Sequence, residues 1–438
     1  MKQKRQKITR EMAIEYHLGG KIGLNLTKSL SDEIDLSLAY TPGVAEVCRL
    51  IESNPEEAFN HTAKKNSVAV VTDGTAVLGL GDIGPLASIP VMEGKAVLFK
   101  AFANVDAWPV PLAGVRIDGN RGRSDPDAFV ETVSRLSVMY GGINIEDVAA
   151  PECFEIEDRL REKLDIPVFH DDQHGTAIIS LAGLTNYLLL TGKNIEESTI
   201  VINGGGAAGI RIGELFSYAG ANNIFMCDSV GVIHDKRDNL NIQKQQFAVS
   251  TNCRTLKDVM KGADVFIGVS QPRLVTQDMV KSMAHEPAVF AMSNPEPEIM
   301  PELVKEVRSD AYIATGRSDY PNQINNVLGF PFIFRGALDI RASDITMNMK
   351  IACSEALAEI AREDVQDYIC EAYGGSKIEF GRDYLIPKPF DRSIFVRAST
   401  AVAQAAIEDG VARNPVDIAE YTADLEKRVE RLQSDTNK

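Results

Sequence analysis

Short apolar segments alternate with helical segments through the second half of the chain. Between residues 199 and 315 the pattern predicts strands at 199–203, 223–227, 264–268, 287–292 and 311–315, with helices at 207–219, 255–261, 276–283 and 301–308 between them. Strands that alternate with helices in this way form βαβ units, which assemble into a doubly wound parallel sheet. We therefore predict a Rossmann-like domain in this part of the chain.

The first 164 residues have a different character. Apolar runs at 67–71, 96–99 and 110–115 are separated by Gly, Pro and Asp turns, which favours short strands. After residue 391 the periodicity is helical again. We predict an α/β protein in three parts: an N-terminal α/β domain at 1–164, a Rossmann-like domain at 165–390, and C-terminal helices at 391–438 that pack on the first domain or on a partner subunit.

Composition narrows the range of partners. The net charge of −16 argues against nucleic acid or an anionic membrane, because both need a basic surface. The most apolar helical stretch, at 177–190, is shorter than the roughly 20 residues of a membrane span, so it predicts a buried helix. The six cysteines are scattered, with no CxxC or zinc spacing, which indicates a reducing cytoplasm. A small-molecule site is the expectation that remains.

A glycine turn follows the strand predicted at 199–203 and opens the next helix. It reads Gly204-x-Gly206-x-x-Gly209, with Ala207 and Ala208 between the last two glycines. The first glycine permits a tight turn, the second lets the backbone approach a pyrophosphate, and the third lets helix and strand pack closely. The turn predicts dinucleotide binding, and the alternative is a glycine-rich loop without a ligand.

Asp228 lies about twenty residues beyond the turn, where a carboxylate would accept hydrogen bonds from the ribose hydroxyls. An acid at this position favours NAD, because it would repel the 2′-phosphate of NADP. Lys236 and Arg237 follow the same strand and could neutralise that phosphate. NADP therefore stays open, with NAD slightly favoured.

Two carboxylate pairs, Glu146-Asp147 and Asp171-Asp172, precede the glycine turn. Mg²⁺ and Mn²⁺ prefer oxygen ligands, and Glu146, Asp147 and Asp172 could supply three of them. Adjacent residues on a strand point to opposite faces, so the first pair can share an ion only at a strand end or in a loop. Alternatively the acids are solvated, or Asp171 or Asp172 caps a helix that begins near Gln173.

Three further side chains are candidates for acid–base chemistry. Lys95 and Lys100 would lie on opposite faces of a strand, so only one of them can face a given site. Tyr40 begins a Pro-Gly turn, and it is either an acid at a cleft or a turn aromatic; its spacing alone favours the turn. His170 and His174 flank the second acidic pair, and we predict hydrogen-bonding roles for them because Mg²⁺ prefers oxygen.

Taken together, these segments resemble malic enzymes of the short bacterial type. The matching stretches begin at Tyr40 (Tyr-Thr-Pro-Gly-Val), Val71 (Val-Thr-Asp-Gly), Leu78 (Leu-Gly-Leu-Gly-Asp-Ile-Gly), Glu93 (Glu-Gly-Lys-Ala), Asn144 (Asn-Ile-Glu-Asp), Phe169 (Phe-His-Asp-Asp-Gln-His-Gly-Thr), Ser293 (Ser-Asn-Pro) and Gln323 (Gln-Ile-Asn-Asn). The resemblance runs from about residue 12 to residue 410 with the motifs in the expected order.

The resemblance implies oxidative decarboxylation of L-malate to pyruvate and carbon dioxide, with NAD or NADP reduced and Mg²⁺ or Mn²⁺ required. It implies these roles: Lys95 general base, Tyr40 general acid, Asp171 the residue that orients the base, Glu146, Asp147 and Asp172 metal ligands, and Asn294 and Asn325 substrate contacts. Asn294 also lies where a bound cofactor would reach. A lysine base needs a lowered pKa, which we expect from the cation and from desolvation.

One feature departs from the larger malic enzymes. They carry an arginine that grips a substrate carboxylate, whereas residues 75–78 here read Thr-Ala-Val-Leu. Arg317, at the end of a predicted strand, is the candidate replacement, with an ordinary surface arginine as the alternative. The expected assembly is a homodimer. Competing functions on the same fold are an oxaloacetate decarboxylase and a malolactic enzyme; a non-catalytic dinucleotide sensor is a competitor of another class.

Overall fold

The computed structural model describes residues 8–77, 79–117 and 122–436. Leu78 of the Gly-Leu-Gly-Asp stretch and the basic residues before Ile8 lie outside that part of the chain. No helix within it is long and apolar enough to cross a membrane.

The first sheet has four parallel strands in the order β2-β1-β3-β4. Its strands are β1 (Ser67–Thr72), β2 (Asp106–Pro111), β3 (Gly142–Ile145) and β4 (Val168–His170). Every residue of β1, β3 and β4 is buried, because helices cover both faces of a parallel sheet. The boundary predicted between residues 164 and 165 falls just before β4, so this sheet includes residues on both sides of it.

Seven α-helices accompany the first sheet. They are α1 (Arg10–Tyr16), α2 (Glu33–Ala39), α3 (Val44–Ser53), α4 (Ala58–His61), α5 (Gly84–Ala103), α6 (Pro126–Leu136) and α7 (Glu152–Lys163). Short 3₁₀ turns lie at Pro55–Glu57, Ala63–Asn66 and Ser137–Met139. The helices before β1 are unusual in that none of the described residues preceding Ser67 is buried.

Helix α5 corrects one expectation from the sequence. The run at 96–99 is not a strand but the middle of this twenty-residue helix. The buried positions Ser88, Met92, Ala96, Phe99 and Ala103 recur every three or four residues, which is the helical period. Pro90 and Gly94 interrupt the periodicity and hide it in the sequence. Lys95 and Lys100 still face different directions, because five residues are about 140° of helix turn.

The second sheet confirms the predicted doubly wound fold. Its order is β10-β9-β8-β5-β6-β7, and all pairs are parallel except β6 with β7. The strands are β5 (Thr199–Asn203), β6 (Asn223–Asp228), β7 (Gly231–Val232), β8 (Val265–Gly268), β9 (Ala288–Ala291) and β10 (Tyr312–Thr315). The helices are α8 (Asp171–Thr191), α9 (Ala207–Tyr218), α10 (Ile242–Gln245), α11 (Leu256–Met260), α12 (Gln277–Lys281) and α13 (Pro301–Val307).

The remaining helices follow β10 in the chain. They are α14 (Phe330–Asp339), α15 (Met347–Arg362), α16 (Asp367–Ala372), α17 (Ser393–Glu408) and α18 (Ile418–Thr436), with a 3₁₀ turn at Asn326–Leu328. Helix α17 packs on α14 and α15, and α18 packs on α17. Phe330 and Phe334 of α14 make edge-to-face contacts with Phe99 of α5, at 4.7 and 5.3 Å between ring centroids. The C-terminal helices thus reach the first sheet through α14.

Candidate active site

The two carboxylate pairs meet because β3 and β4 are neighbours in the first sheet. These strands pair in parallel with Ile145 opposite His170, and each acidic pair follows its strand directly. The carboxyl ends of parallel strands lie at one edge of a sheet, where ligands of such folds bind. Residues separated by about 25 positions in the sequence therefore converge.

The three predicted metal ligands are close enough to hold one cation. One carboxylate oxygen from each of Glu146, Asp147 and Asp172 lies within 4.8 Å of the others. Asp147 is past the strand end and has φ 54°, a left-handed conformation. This turn removes the strand alternation that would separate two adjacent acids. The Asp147 N–H donates to Asp172 Oδ2 at 2.8 Å and fixes the two pairs together. An all-oxygen set of this kind fits Mg²⁺ or Mn²⁺.

The charge distribution also favours a cation. Glu146 is buried, and desolvation raises its pKa well above the usual range although Lys95 opposes the shift; Asp172, Asp171 and Asp147 raise the pKa further. Like charges so close together are costly in a buried place unless a counter-charge joins them. A divalent ion supplies that counter-charge.

Lys95 reaches this cluster from α5. Its Nζ lies 2.5 Å from Asp171 Oδ2 and 2.9 Å from Glu146 Oε1, and 4.2 Å from the centre of the Phe330 ring. Burial disfavours the ammonium, but Asp171, Glu146 and Asp172 outweigh burial and raise the pKa of Lys95. The protein's own groups thus keep this lysine protonated. The lowered pKa that a base requires has to come from a cation competing for the same carboxylates.

Asp171 is held in place by Asn326. The Asn326 Nδ2 donates to Asp171 Oδ2 at 3.0 Å, and its Oδ1 accepts from Thr176 Oγ1 at 3.0 Å. The neighbouring Asn325, which the resemblance assigns to substrate, accepts from the N–H of Val327 through its Oδ1 and starts its own turn. Of the two adjacent asparagines, Asn326 contacts Asp171, and the motif at 323–326 does not show this in the sequence.

Helix α8 places both acids in its first turn. The helix begins at Asp171, with His170 at the N-cap position and no side-chain cap, so the capping alternative for Asp171 and Asp172 is wrong. Gly175 follows one turn later on the same face. A Cβ there would lie 2.2 Å from Asp171 Oδ1, so only glycine leaves room for the carboxylate.

The glycine turn has the geometry predicted for it. Gly204 has φ 138°, and a Cβ would lie 2.6 Å from the carbonyl oxygen of Val269. A Cβ on Gly209 would lie 1.7 Å from the Gly204 carbonyl oxygen, so the helix can approach the turn only without a side chain. At Gly206 no described atom lies within 4 Å of the Cβ position. That open space, next to the first N–H groups of α9 at Ala207 and Ala208, suits a pyrophosphate.

Asp228 ends β6 beside this turn, but its carboxylate is already engaged. Oδ1 accepts from Val230 N and Arg237 Nη1, and Oδ2 accepts from Arg237 Nη2 and Lys244 Nζ, at 2.7 to 3.0 Å. Burial would raise the pKa of Asp228, but Arg237 and Lys244 hold it well below its usual range. Lys244 is not a candidate from the sequence, because it lies sixteen residues after Asp228 on a separate short helix.

The substrate-side candidates lie together at the ends of β9 and β10. These strands pair with Ala291 opposite Thr315, which makes Asn294 and Arg317 neighbours. Arg317 Nη1 donates to the Pro295 carbonyl at 3.3 Å, while Nε and Nη2 bind Asp319 at 2.9 and 2.7 Å.

Tyr40 is separate from the other candidates. Tyr40 follows α2, and 70% of the surface of this residue is exposed. Its side chain makes no hydrogen bond within the part of the chain that the structure describes. Within one chain the structure therefore joins Lys95 to Asp171 and to the acids, but it does not join Tyr40 to them.

A parallel α/β fold with a dinucleotide turn, and with a buried lysine among oxygen ligands, is typical of a metal- and dinucleotide-dependent oxidoreductase. Models of the malic enzyme N-terminal domain and of the malic enzyme NAD-binding domain match residues 19–161 and 173–369. The chain belongs to the malic enzyme family.

Known malic enzymes are similar in sequence to this chain over nearly its whole length. A Halomonas elongata protein described as an NADP-dependent malic enzyme is 52% identical, over 93% of this chain and 95% of that one. A Bacillus subtilis bifunctional malic/malolactic enzyme is 50% identical, over 95% and 98%. The crystal structure of a Pyrococcus horikoshii malic enzyme has a TM-score of 0.87 at 40% identity, over 97% and 96%. The chain spans about half the length of some other curated relatives.

Proposed function

We propose that this chain catalyses the oxidative decarboxylation of L-malate to pyruvate and carbon dioxide with reduction of NAD(P). The observation that carries the proposal is the contact of Lys95 with both Asp171 and Glu146, beside the three oxygens that can hold a divalent ion. A base, its orienting carboxylate and a cation site in one place match what a 2-hydroxy acid needs for loss of its hydroxyl proton.

Each of the site's side chains has a separate role in the proposed reaction. Lys95, as the neutral amine, takes the proton of the C2 hydroxyl, and Asp171, itself held by Asn326, keeps the Lys95 Nζ aimed at that position. Glu146, Asp147 and Asp172 would hold Mg²⁺ or Mn²⁺, which would stabilise negative charge on the substrate oxygens, and the glycine turn would hold the dinucleotide, whose chemistry when bound would be hydride acceptance. Tyr40 would return a proton to C3. Asn294, Asn325 and Arg317 would contact the substrate.

The direct test is malate with NAD or NADP, with and without Mn²⁺, measuring pyruvate and reduced cofactor together. Equal amounts of both products, lost in Lys95→Ala with dinucleotide binding intact, are the expected result. The bifunctional Bacillus relative makes the malolactic reaction the competitor to test, because it yields lactate and no net reduced cofactor. Pyruvate from oxaloacetate without malate turnover would instead indicate a decarboxylase.

We infer further that the preferred cofactor is NADP. The Asp228 carboxylate has about four acceptor sites, and all are occupied, so it has no capacity left for ribose hydroxyls. We infer that Asp228 holds two basic side chains, Arg237 and Lys244, beside the glycine turn. A Cβ on Gly205 would lie 3.5 Å from Lys244 Nζ, so this ammonium sits over the turn, where a 2′-phosphate would come.

Lys244→Gln tests this preference. Loss of a charged hydrogen bond should lower kcat/KM for NADP by about 10- to 100-fold and leave NAD within about threefold. Binding of 2′,5′-ADP and 5′-AMP to the free protein should show the same selectivity without catalysis. Lys281→Gln, an exposed lysine of the same domain, is the matched control. An unchanged preference in Lys244→Gln would contradict the assignment.

We propose that the chain forms a homodimer through its N-terminal segment, residues 8–53. Of the large hydrophobic side chains that are exposed among the described residues, this segment contributes more than half, and none of its residues is buried. Among them Leu24 is 89% exposed and Leu26 is 76% exposed. Apolar surface of this extent marks a protein interface. A double Leu24→Glu, Leu26→Glu variant should become monomeric in light scattering with chromatography.

The dimer would explain the position of Tyr40. If Tyr40 serves the cleft of the partner subunit, mixing inactive Lys95→Ala and Tyr40→Phe proteins should restore activity, because mixed dimers hold one complete site. Random exchange would recover about a quarter of the wild-type rate. No recovery, with exchange verified by mass spectrometry, would place Tyr40 in its own subunit.

We also propose the division at 1–164, 165–390 and 391–438, and a cytoplasmic location. Two separate sheets support a division of this kind, with β4 of the first sheet just past the boundary at 164, and limited proteolysis that cuts near the boundaries is the test. All six cysteines are unpaired, which fits a reducing compartment, and full activity without disulfide formation is expected.

A further inference from the structure

A buried carboxylate from α7 contacts residues on both sides of the acidic pair of α8. Glu157 is 1% exposed, and its Oε1 accepts from the backbone N–H of His170 at 3.2 Å and from His174 Nε2 at 2.8 Å. His170 precedes Asp171, and His174 follows Asp172 by two residues. One carboxylate therefore holds both sides of the segment that carries the base-orienting and metal-binding acids.

Arg211 connects Glu157 and the start of α8 to the helix that follows the dinucleotide turn. It lies in α9, two residues after Gly209 of the glycine motif, and its side chain is 14% exposed. Its Nε donates to Gln173 Oε1 at 2.8 Å and its Nη2 to Glu157 Oε2 at 3.4 Å. The guanidinium also lies 5.2 Å from the centre of the Phe154 ring on α7.

Three elements meet at this one side chain, which no part of the proposed chemistry uses. Gln173 lies next to Asp172, so Arg211 holds the metal-binding turn of α8 to the pyrophosphate-binding end of α9. Planar guanidinium groups hold such multiple donors in a fixed arrangement. A displacement of α9 on dinucleotide binding would reach Asp171 and Asp172 through these bonds.

We propose that Arg211 is a positioning residue that couples dinucleotide binding to divalent-metal binding. The inference rests on the site proposed above. Coupling between two sites is a difference in affinity and is reciprocal, so each ligand should tighten the other by the same factor. The coupling depends on the contacts among α7, α8 and α9, and it needs no residue that touches the substrate.

The test measures the dissociation constant of Mn²⁺ by titration calorimetry, without substrate, in the absence and presence of saturating NADP⁺. In the wild type the cofactor should tighten Mn²⁺ binding on the order of 5- to 10-fold. In Arg211→Met the ratio should fall to within about twofold of unity. Arg308→Met is the matched control: the Arg308 side chain is also 14% exposed and donates two hydrogen bonds to Asp310 after α13, and the control should keep the wild-type ratio.

Arg211→Lys provides the second variant if the methionine variant does not fold. Lysine keeps the charge but cannot donate as a fork to Gln173 and Glu157, so at least half of the coupling should be lost. A wild-type ratio near unity, or a ratio that both Arg211 variants retain, would overturn the inference and leave the proposed activity standing. Mn²⁺ affinity that Asp172→Asn leaves unchanged would overturn the metal assignment, and the coupling with it.

Discussion

Replacing Gly175 by alanine places a methyl group where the Asp171 carboxylate lies. The new Cβ would be 2.2 Å from Asp171 Oδ1 and 2.9 Å from Asn326 Cγ, whereas ordinary contacts begin at 3.4 Å. The carboxylate must therefore move by roughly 1 Å, which breaks its alignment with Lys95, with Asn326 or with both. Misplacement by this amount costs about 100-fold in rate, so we expect kcat/KM for malate to fall by about that factor.

The same substitution should change stability little. Alanine is favoured over glycine within a helix by about 1 kcal/mol, and overpacking costs about 1–3 kcal/mol, so a net loss of about 0–2 kcal/mol is expected. Steady-state kinetics, urea unfolding and NADPH binding of the variant therefore separate lost positioning from lost folding.

A glycine two turns further along α8 provides the control. A Cβ on Gly183 would lie 3.2 Å from a ring carbon of Phe290, so Gly183→Ala crowds the same helix away from the acids and should stay active. If Gly175→Ala keeps kcat/KM within threefold of the wild type, the carboxylate can relocate without cost and the reasoning about Asp171 fails.

Three further predictions concern the metal, the buried lysine and the C-terminal helix. Asp172→Asn should weaken Mn²⁺ binding at least about 10-fold in a direct titration; equal affinity would remove Asp172 from the ligand set. Burial lowers the pKa of Lys350 to about 8, so the folded protein releases a proton that the unfolded chain keeps up to about 10.4. Between pH 8 and pH 10 the free energy of unfolding of the wild type should therefore rise by about 2–3 kcal/mol relative to that of Lys350→Met. If the two proteins show the same pH dependence of unfolding, the lowered pKa of Lys350 is contradicted. Tyr421 OH donates to Asp339 at 3.0 Å, so Tyr421→Phe should cost about 1–2 kcal/mol in urea unfolding with kcat unchanged; no loss would mean that water replaces the bond.

The second sheet can be predicted because its information is local. Each of the five parallel strands is a short apolar run beside a helix with its own periodicity, and the predicted bounds differ from those observed by at most two residues or so. The spacing of the glycine turn is local as well, and so is the close approach of Gly209 to the Gly204 carbonyl, whereas the contact of Gly204 with Val269 is not. Helix α5 escapes prediction for the converse reason, because Pro90 and Gly94 break the period that its buried residues follow.

Residue types and their order by themselves determined that this chain has a dinucleotide turn, two acidic pairs upstream of it, and a family resemblance from about residue 12 to 410. Only the tertiary structure decided which groups touch. The pairing of β3 with β4 brings the acids together, Asn326 and not Asn325 donates to Asp171, and Arg237 and Lys244 converge on Asp228. Such choices depend on strand register and on helices far apart in sequence, and neighbouring residues of like type carry no local sign of which one points inward.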